Sequence, residues 1–190
     1  MNFLAHLWLA DRTGTSLAGA VLGDVVRGTD LSAYPEALAQ GIRLHRRVDA
    51  ATDRHPLIVQ MRAGFADGQR RYAGIVLDLA LDHALALDWA QHHTQPLDAF
   101  CAHAAVQIAS ASNWFIRAGG RATDADAFTR LLLSYAHAEG IERALARVAA
   151  RLRRPEALLS TAASWQARLP ALRAHLPRLL SEVADAATRS

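Results

Sequence analysis

The sequence contains no lysine, one cysteine, six prolines and eleven glycines in 190 residues. Each shortage excludes something. The lone Cys101 leaves no internal disulfide, and its neighbours Phe100 and Ala102 mark it as a small core hydrophobe in a reducing compartment. No run of about 18 uninterrupted apolar residues exists to span a membrane, and the opening Met1-Asn2-Phe3-Leu4-Ala5-His6-Leu7-Trp8 lacks the basic region of a signal peptide. A cytoplasmic protein with no membrane partner is the expectation. There is no glycine-rich phosphate loop, nucleophile elbow or paired CxxC, and nothing in the pattern points to nucleic acid.

Arginine supplies all 21 basic side chains against 18 acidic ones, for a net charge of +3. Guanidinium binds carboxylates and phosphates bidentately, which fits an acidic or phosphorylated partner and fits equally a bias in genome composition. Hydrophobic residues make up 52% of the chain, and proline and glycine cluster between the apolar stretches, which predicts an all-α fold in a single-domain helical bundle over 1–190. Helices are expected over Phe3 to Ala10 and Ser16 to Val26, with Ser16 as N-cap, and from Pro35 through Asp53. Further helices are expected over Leu57 to Phe65, Arg71 to Gln91, Asp98 to Ile108, Ala125 to Tyr135, Ile141 to Leu152 and Glu156 to Thr188. Gly119-Gly120-Arg121 is the clearest connector.

Charged side chains intrude into four of these apolar segments. Asp24 stands in Leu22-Gly23-Asp24-Val25-Val26, where a carboxylate must be paired, metal-bound or protonated; a structural pair with Arg27 is the competing account. His45, Asp49 and Asp53 recur four apart on one helical face, a spacing that serves a shared divalent metal or a solvated ion pair equally well. Asp78, Asp82 and His83 interrupt the most apolar helix and need partners there. His6 lies among Leu4, Leu7 and Trp8. Together these groups can converge as ligands do inside helical bundles. Histidine with carboxylate and no usable thiolate suits Mn²⁺, Mg²⁺ or Fe²⁺ over structural zinc, and hydrolysis by a metal-activated water is the reaction class that follows.

At these residues the chain resembles the bacterial acyl carrier protein (ACP) phosphodiesterases. The matching stretches are Met1-Asn2-Phe3-Leu4-Ala5-His6-Leu7, Gly23-Asp24-Val25-Val26-Arg27-Gly28, Gly41-Ile42-Arg43-Leu44-His45-Arg46-Arg47-Val48-Asp49 with Thr52-Asp53, Leu77-Asp78 with Asp82-His83, and Arg151-Leu152-Arg153-Arg154-Pro155. The resemblance implies a helical fold related to HD-domain phosphohydrolases, a divalent metal with manganese favoured, and hydrolysis of the phosphodiester joining 4′-phosphopantetheine to the serine of holo-ACP. Asp82-His83 runs in the opposite order to the His-Asp pair of that superfamily. On this basis Asp24, His45, Asp82 and His83 are expected as metal ligands, with His6 and Asp49 completing or orienting the shell. Arg46 or Arg27 is expected to face the phosphate, and Asp53 or Asp78 to accept a proton. ACP is acidic, so a rim of Arg43, Arg47, Arg62, Arg70 and Arg71 is expected to hold it. The competing functions are hydrolysis of a small phosphodiester by the same residues and a non-enzymatic helical binding module. Oligomeric state is open.

Overall fold

In the computed structural model, which describes residues 1–189, the chain runs through α1 (Phe3–Arg12), α2 (Leu17–Leu22), α3 (Glu36–Arg54), α4 (Pro56–Ala63), α5 (Arg70–Leu87), α6 (Trp89–His92), α7 (Leu97–Ser110), α8 (Ser112–Arg117), α9 (Ala125–Ser134), α10 (Ala138–Ala149), α11 (Pro155–Ala162) and α12 (Trp165–Thr188). No strand occurs among the described residues, in keeping with the all-α expectation.

α5 is the axis around which the others are laid. Its apolar residues cover most of the helix surface, and such a helix is stable only if several neighbours bury it. α1, α4, α10, α11 and α12 do so, leaving Leu77, Leu81, Ala84 and Leu85 inaccessible to solvent or nearly so. Cys101 is buried among them in the core, as expected, and burial pushes its thiol up to about 12.

Two local features place the site. Ser16 caps α2, its hydroxyl accepting from the Gly19 N–H at 3.1 Å. α2 then meets α3 backbone to backbone: a Cβ built on Gly41 would lie 2.7 Å from the Gly19 Cα, and one on Gly19 would lie 2.6 Å from the Leu38 carbonyl oxygen. Only glycine at both positions allows this approach. α2 ends at Leu22 rather than continuing to Val26, so Asp24 emerges on a turn past the helix end instead of standing inside an apolar helix. The expected segment from Glu156 to Thr188 divides into α11 and α12, and α8 forms where no helix is expected.

Candidate metal centre

α1 and α3 bring three donors together. Nitrogens of His6 and His45 and a carboxylate oxygen of Asp49 all lie within 4.8 Å of one another. The two imidazoles stack with centroids 3.9 Å apart and planes 15° from parallel. Nε2 of His6 is 3.0 Å from Asp49 Oδ1, and Nε2 of His45 is 3.1 Å from Asp49 Oδ2. Asp24, about half exposed, brings Oδ1 to 3.5 Å from His45 Nε2. Both imidazoles are buried while Asp49 is half-buried, so the donors form a floor open on the carboxylate side.

The hydrogen bonding at His45 fixes its chemistry. Its Nδ1 lies 2.7 Å from the Ala20 carbonyl oxygen, which can only accept, so the proton is on Nδ1. In the neutral ring Nε2 then carries a lone pair, and that lone pair faces a carboxylate oxygen. Two acceptors 3.1 Å apart need a proton or a cation between them. The carbonyl partner on the far nitrogen is also the arrangement that orients metal-binding histidines. Gly23 makes room for this ring, because a Cβ there would overlap the His45 side chain.

Titration follows the same logic. Burial works against a charge on His45, but the bond to Asp49 and the nearby Asp24 outweigh it and raise its pKa above the ordinary value. Burial would raise Asp49 too, yet the two imidazoles hold its carboxyl far below the usual carboxylate range. Burial lowers His6 to about 4 against the opposing bond to Asp49, and its Nδ1 is buried without a hydrogen-bond partner. Asp24 is raised by burial and by the like charges of Asp49 and Asp78, despite the pull of His45. The raised pKa favours a proton on His45 Nε2, and a divalent cation would take that proton's place, because ligation requires a neutral imidazole and an ionised carboxylate. The donor set therefore fits a divalent cation held by His6, His45 and Asp49, with Asp24 beside it.

The remaining expected residues are engaged with other partners. Both oxygens of Asp82 accept backbone N–H groups at the start of α1, from Leu4 at 2.7 Å and Ala5 at 3.1 Å. It clamps the helix that carries His6, satisfying donors that no helix satisfies internally. His83 points away, its Nδ1 donating to the Tyr135 carbonyl at 2.7 Å. Asp78 is bonded to the Met1 amine at 3.0 Å, and that amine lies 3.7 Å from Asp49. Asp53 is exposed and paired with Arg62 at 2.9 Å. Arg46 donates to the Val26 carbonyl at 3.1 Å, tying the turn that carries Asp24 to α3. Gly23 and the Asn2–Tyr135 hydroxyl bond of 3.0 Å beside Asp78 were not foreseen from sequence; neither has a periodic signal.

Comparison with known proteins gives the family of the chain. The profile of the acyl carrier protein phosphodiesterase family matches residues 1–183. The acyl carrier protein phosphodiesterase of Photorhabdus laumondii subsp. laumondii is 48% identical over 109 residues, covering 57% of this chain and 55% of that protein. Those of Salmonella dublin and Salmonella agona are 44% and 43% identical over 111 residues, covering 58% of this chain and 58% of each of theirs. The match thus spans a little over half the length of these curated relatives. No solved structure matches the chain. The match along nearly the whole sequence leads to one conclusion: the chain belongs to the acyl carrier protein phosphodiesterase family.

Proposed function

We propose that this protein is a metal-dependent phosphodiesterase that releases 4′-phosphopantetheine from holo-ACP to leave apo-ACP, acting in the cytoplasm. The observation that carries the reading is the convergence of His6 Nε2 and His45 Nε2 on the Asp49 carboxylate, at 3.0 and 3.1 Å, with Asp24 beside them, in a member of this family. Nitrogen and oxygen donors without thiolate suit Mn²⁺, Mg²⁺ or Fe²⁺, and the family resemblance favours Mn²⁺ among them. When bound, such a cation would supply Lewis-acid polarisation of a phosphoryl oxygen and a lowered pKa for water.

The chain's own groups do the rest. Ala20 holds His45 in one tautomer, and Asp82 fixes the first turn of α1 so that His6 faces Asp49. Asp24 is half exposed, and its raised pKa suits a group that takes a proton from the attacking water. We assign Asp24 that role in preference to Asp53 and Asp78, each of which has one oxygen engaged, with Arg62 and with the Met1 amine. Arg46 keeps Asp24 in place through Val26.

Mass spectrometry of holo-ACP incubated with the protein and Mn²⁺ tests the assignment. Conversion to apo-ACP is expected, abolished by a chelator and reduced about 100-fold or more in Asp49→Ala, which removes the carboxylate shared by both imidazoles. Unchanged holo-ACP alongside metal-dependent turnover of a small aryl phosphodiester would transfer the function to small substrates.

A further inference from the structure

The ion pairs leave one basic surface unexplained. Three arginines of the expected rim are neutralised locally: Arg43 by Glu36 at 2.9 Å, Arg62 by Asp53 at 2.9 Å and Arg70 by Asp67 at 3.0 Å. In contrast, Arg71, Arg151, Arg153 and Arg154 are exposed around a recess of about 850 Å³ whose wall includes no carboxylate. None of the four has a salt-bridge partner among the described residues. Four like charges held together repel one another, so an anionic partner gains from all of them at once.

Arg151 also lines a second hollow, of about 620 Å³, so the two adjoin at this side chain and together form a groove along α5. The floor of this groove is apolar, built from Phe3, Ile75, Leu79, Leu131 and Val148, with Arg147 beside Arg151 on its rim. Its one carboxylate is Asp78, bonded to the amine that also faces Asp49. The groove therefore runs from Asp78, one amine away from Asp49, to the arginines. Asp78 and Arg71 are seven residues apart on α5, a rise of about 10 Å, or two helical turns.

We propose that this groove docks an acidic amphipathic helix of the carrier protein next to its phosphorylated serine, with the apolar face on the floor and the carboxylates against Arg71, Arg147, Arg151, Arg153 and Arg154. The inference rests on the proposed carrier-protein substrate. A helix is accommodated by an apolar groove with a charged rim, and two to three turns suffice to reach from the centre to the recess. The pantetheine arm is uncharged along its length and would leave the arginines without partners.

The test compares wild type with an Arg151→Glu/Arg154→Glu double variant and with Arg178→Glu, whose arginine already pairs with Glu182. Binding of holo-ACP is measured in chelator, turnover of holo-ACP and of bis(p-nitrophenyl) phosphate is measured with Mn²⁺, and thermal melts check the fold. The double variant is expected to raise Kd and KM for holo-ACP at least about 10-fold, leaving kcat, aryl phosphodiester hydrolysis and the melt unchanged, and to lose most of the salt dependence of binding. Arg178→Glu is expected to match wild type. Equal carrier binding by wild type and double variant overturns the docking surface even if holo-ACP is cleaved, whereas arginine-dependent binding without cleavage keeps it and removes the activity. Loss of aryl phosphodiester hydrolysis in the double variant, no carrier binding by wild type, or displacement of the carrier by free pantetheine each overturns it as well.

Discussion

At the residue scale, the most informative side chain outside the donor cluster is Asp82. It is fully buried, and burial pushes its pKa up to about 7 despite two backbone N–H donors that favour the anion. A carboxyl whose folded pKa stands above its unfolded one is protonated in the fold while already ionised in the unfolded chain, so stability falls as pH rises from about 4 to 7. Asparagine carries no such proton. Urea unfolding of chelator-treated protein is therefore expected to show Asp82→Asn gaining on wild type by about 1 kcal/mol per pH unit across that window; a gap independent of pH would show the carboxylate to be ionised throughout. The sequence made part of this scale legible. Helical spacing placed His45 and Asp49 on one face correctly, because a period of 3.6 residues fixes which side chains align. The same rule could not tell that Asp82 and His83 face different partners, since periodicity gives a side chain's direction but not what lies there. Nor did it reveal that Asp24 leaves the apolar stretch at Gly23.

At the element scale, the pairing of α2 with α3 controls the site. His45 takes its orientation from Ala20 on α2, and the two helices can approach only because Gly19 and Gly41 lack side chains. Gly41→Ala places a methyl against the Gly19 backbone, where no side-chain rotation relieves the overlap. It is expected to cost about 1 to 3 kcal/mol in urea melts, in the range of overpacked interiors, and to weaken Mn²⁺ binding by calorimetry because the Ala20 carbonyl moves from His45. Unaltered stability and metal affinity would mean the helices slide apart without consequence for the ring. Helix positions were largely readable from apolar period and caps, as Ser16 and the start of α3 after Pro35 illustrate. The split between α11 and α12 was not. The helix expected to run on to Thr188 does pass unbroken through Pro170 and Pro177, where packing on α3 and α5 overrides the local preference of proline.

At the scale of the whole molecule, the second half of the chain supports a site to which it contributes no donor. α10, α11 and α12 cover α5, whose Asp82 clamps α1. A chain ending at Gly120 is expected to lose cooperative thermal unfolding by circular dichroism, because Leu77 and its neighbours on α5 would face water; a sharp two-state melt of that fragment would contradict this dependence. The groove and its arginines were hidden from sequence for a related reason: Phe3, Ile75, Leu131 and Val148 come from four separate helices or their ends. The same arrangement sets an order in time. His6, Asp24, His45 and Asp49 are synthesised before α5 and the helices that bury it, and α1, which carries His6, and α2, which orients His45, have only ten and six residues, too short to persist alone. The clamp at residue 82 and the helices that bury α5 follow later. On the proposed reading, metal capture waits until those later helices are made, and a stalled or truncated nascent chain would present its imidazoles and carboxylates without holding an ion.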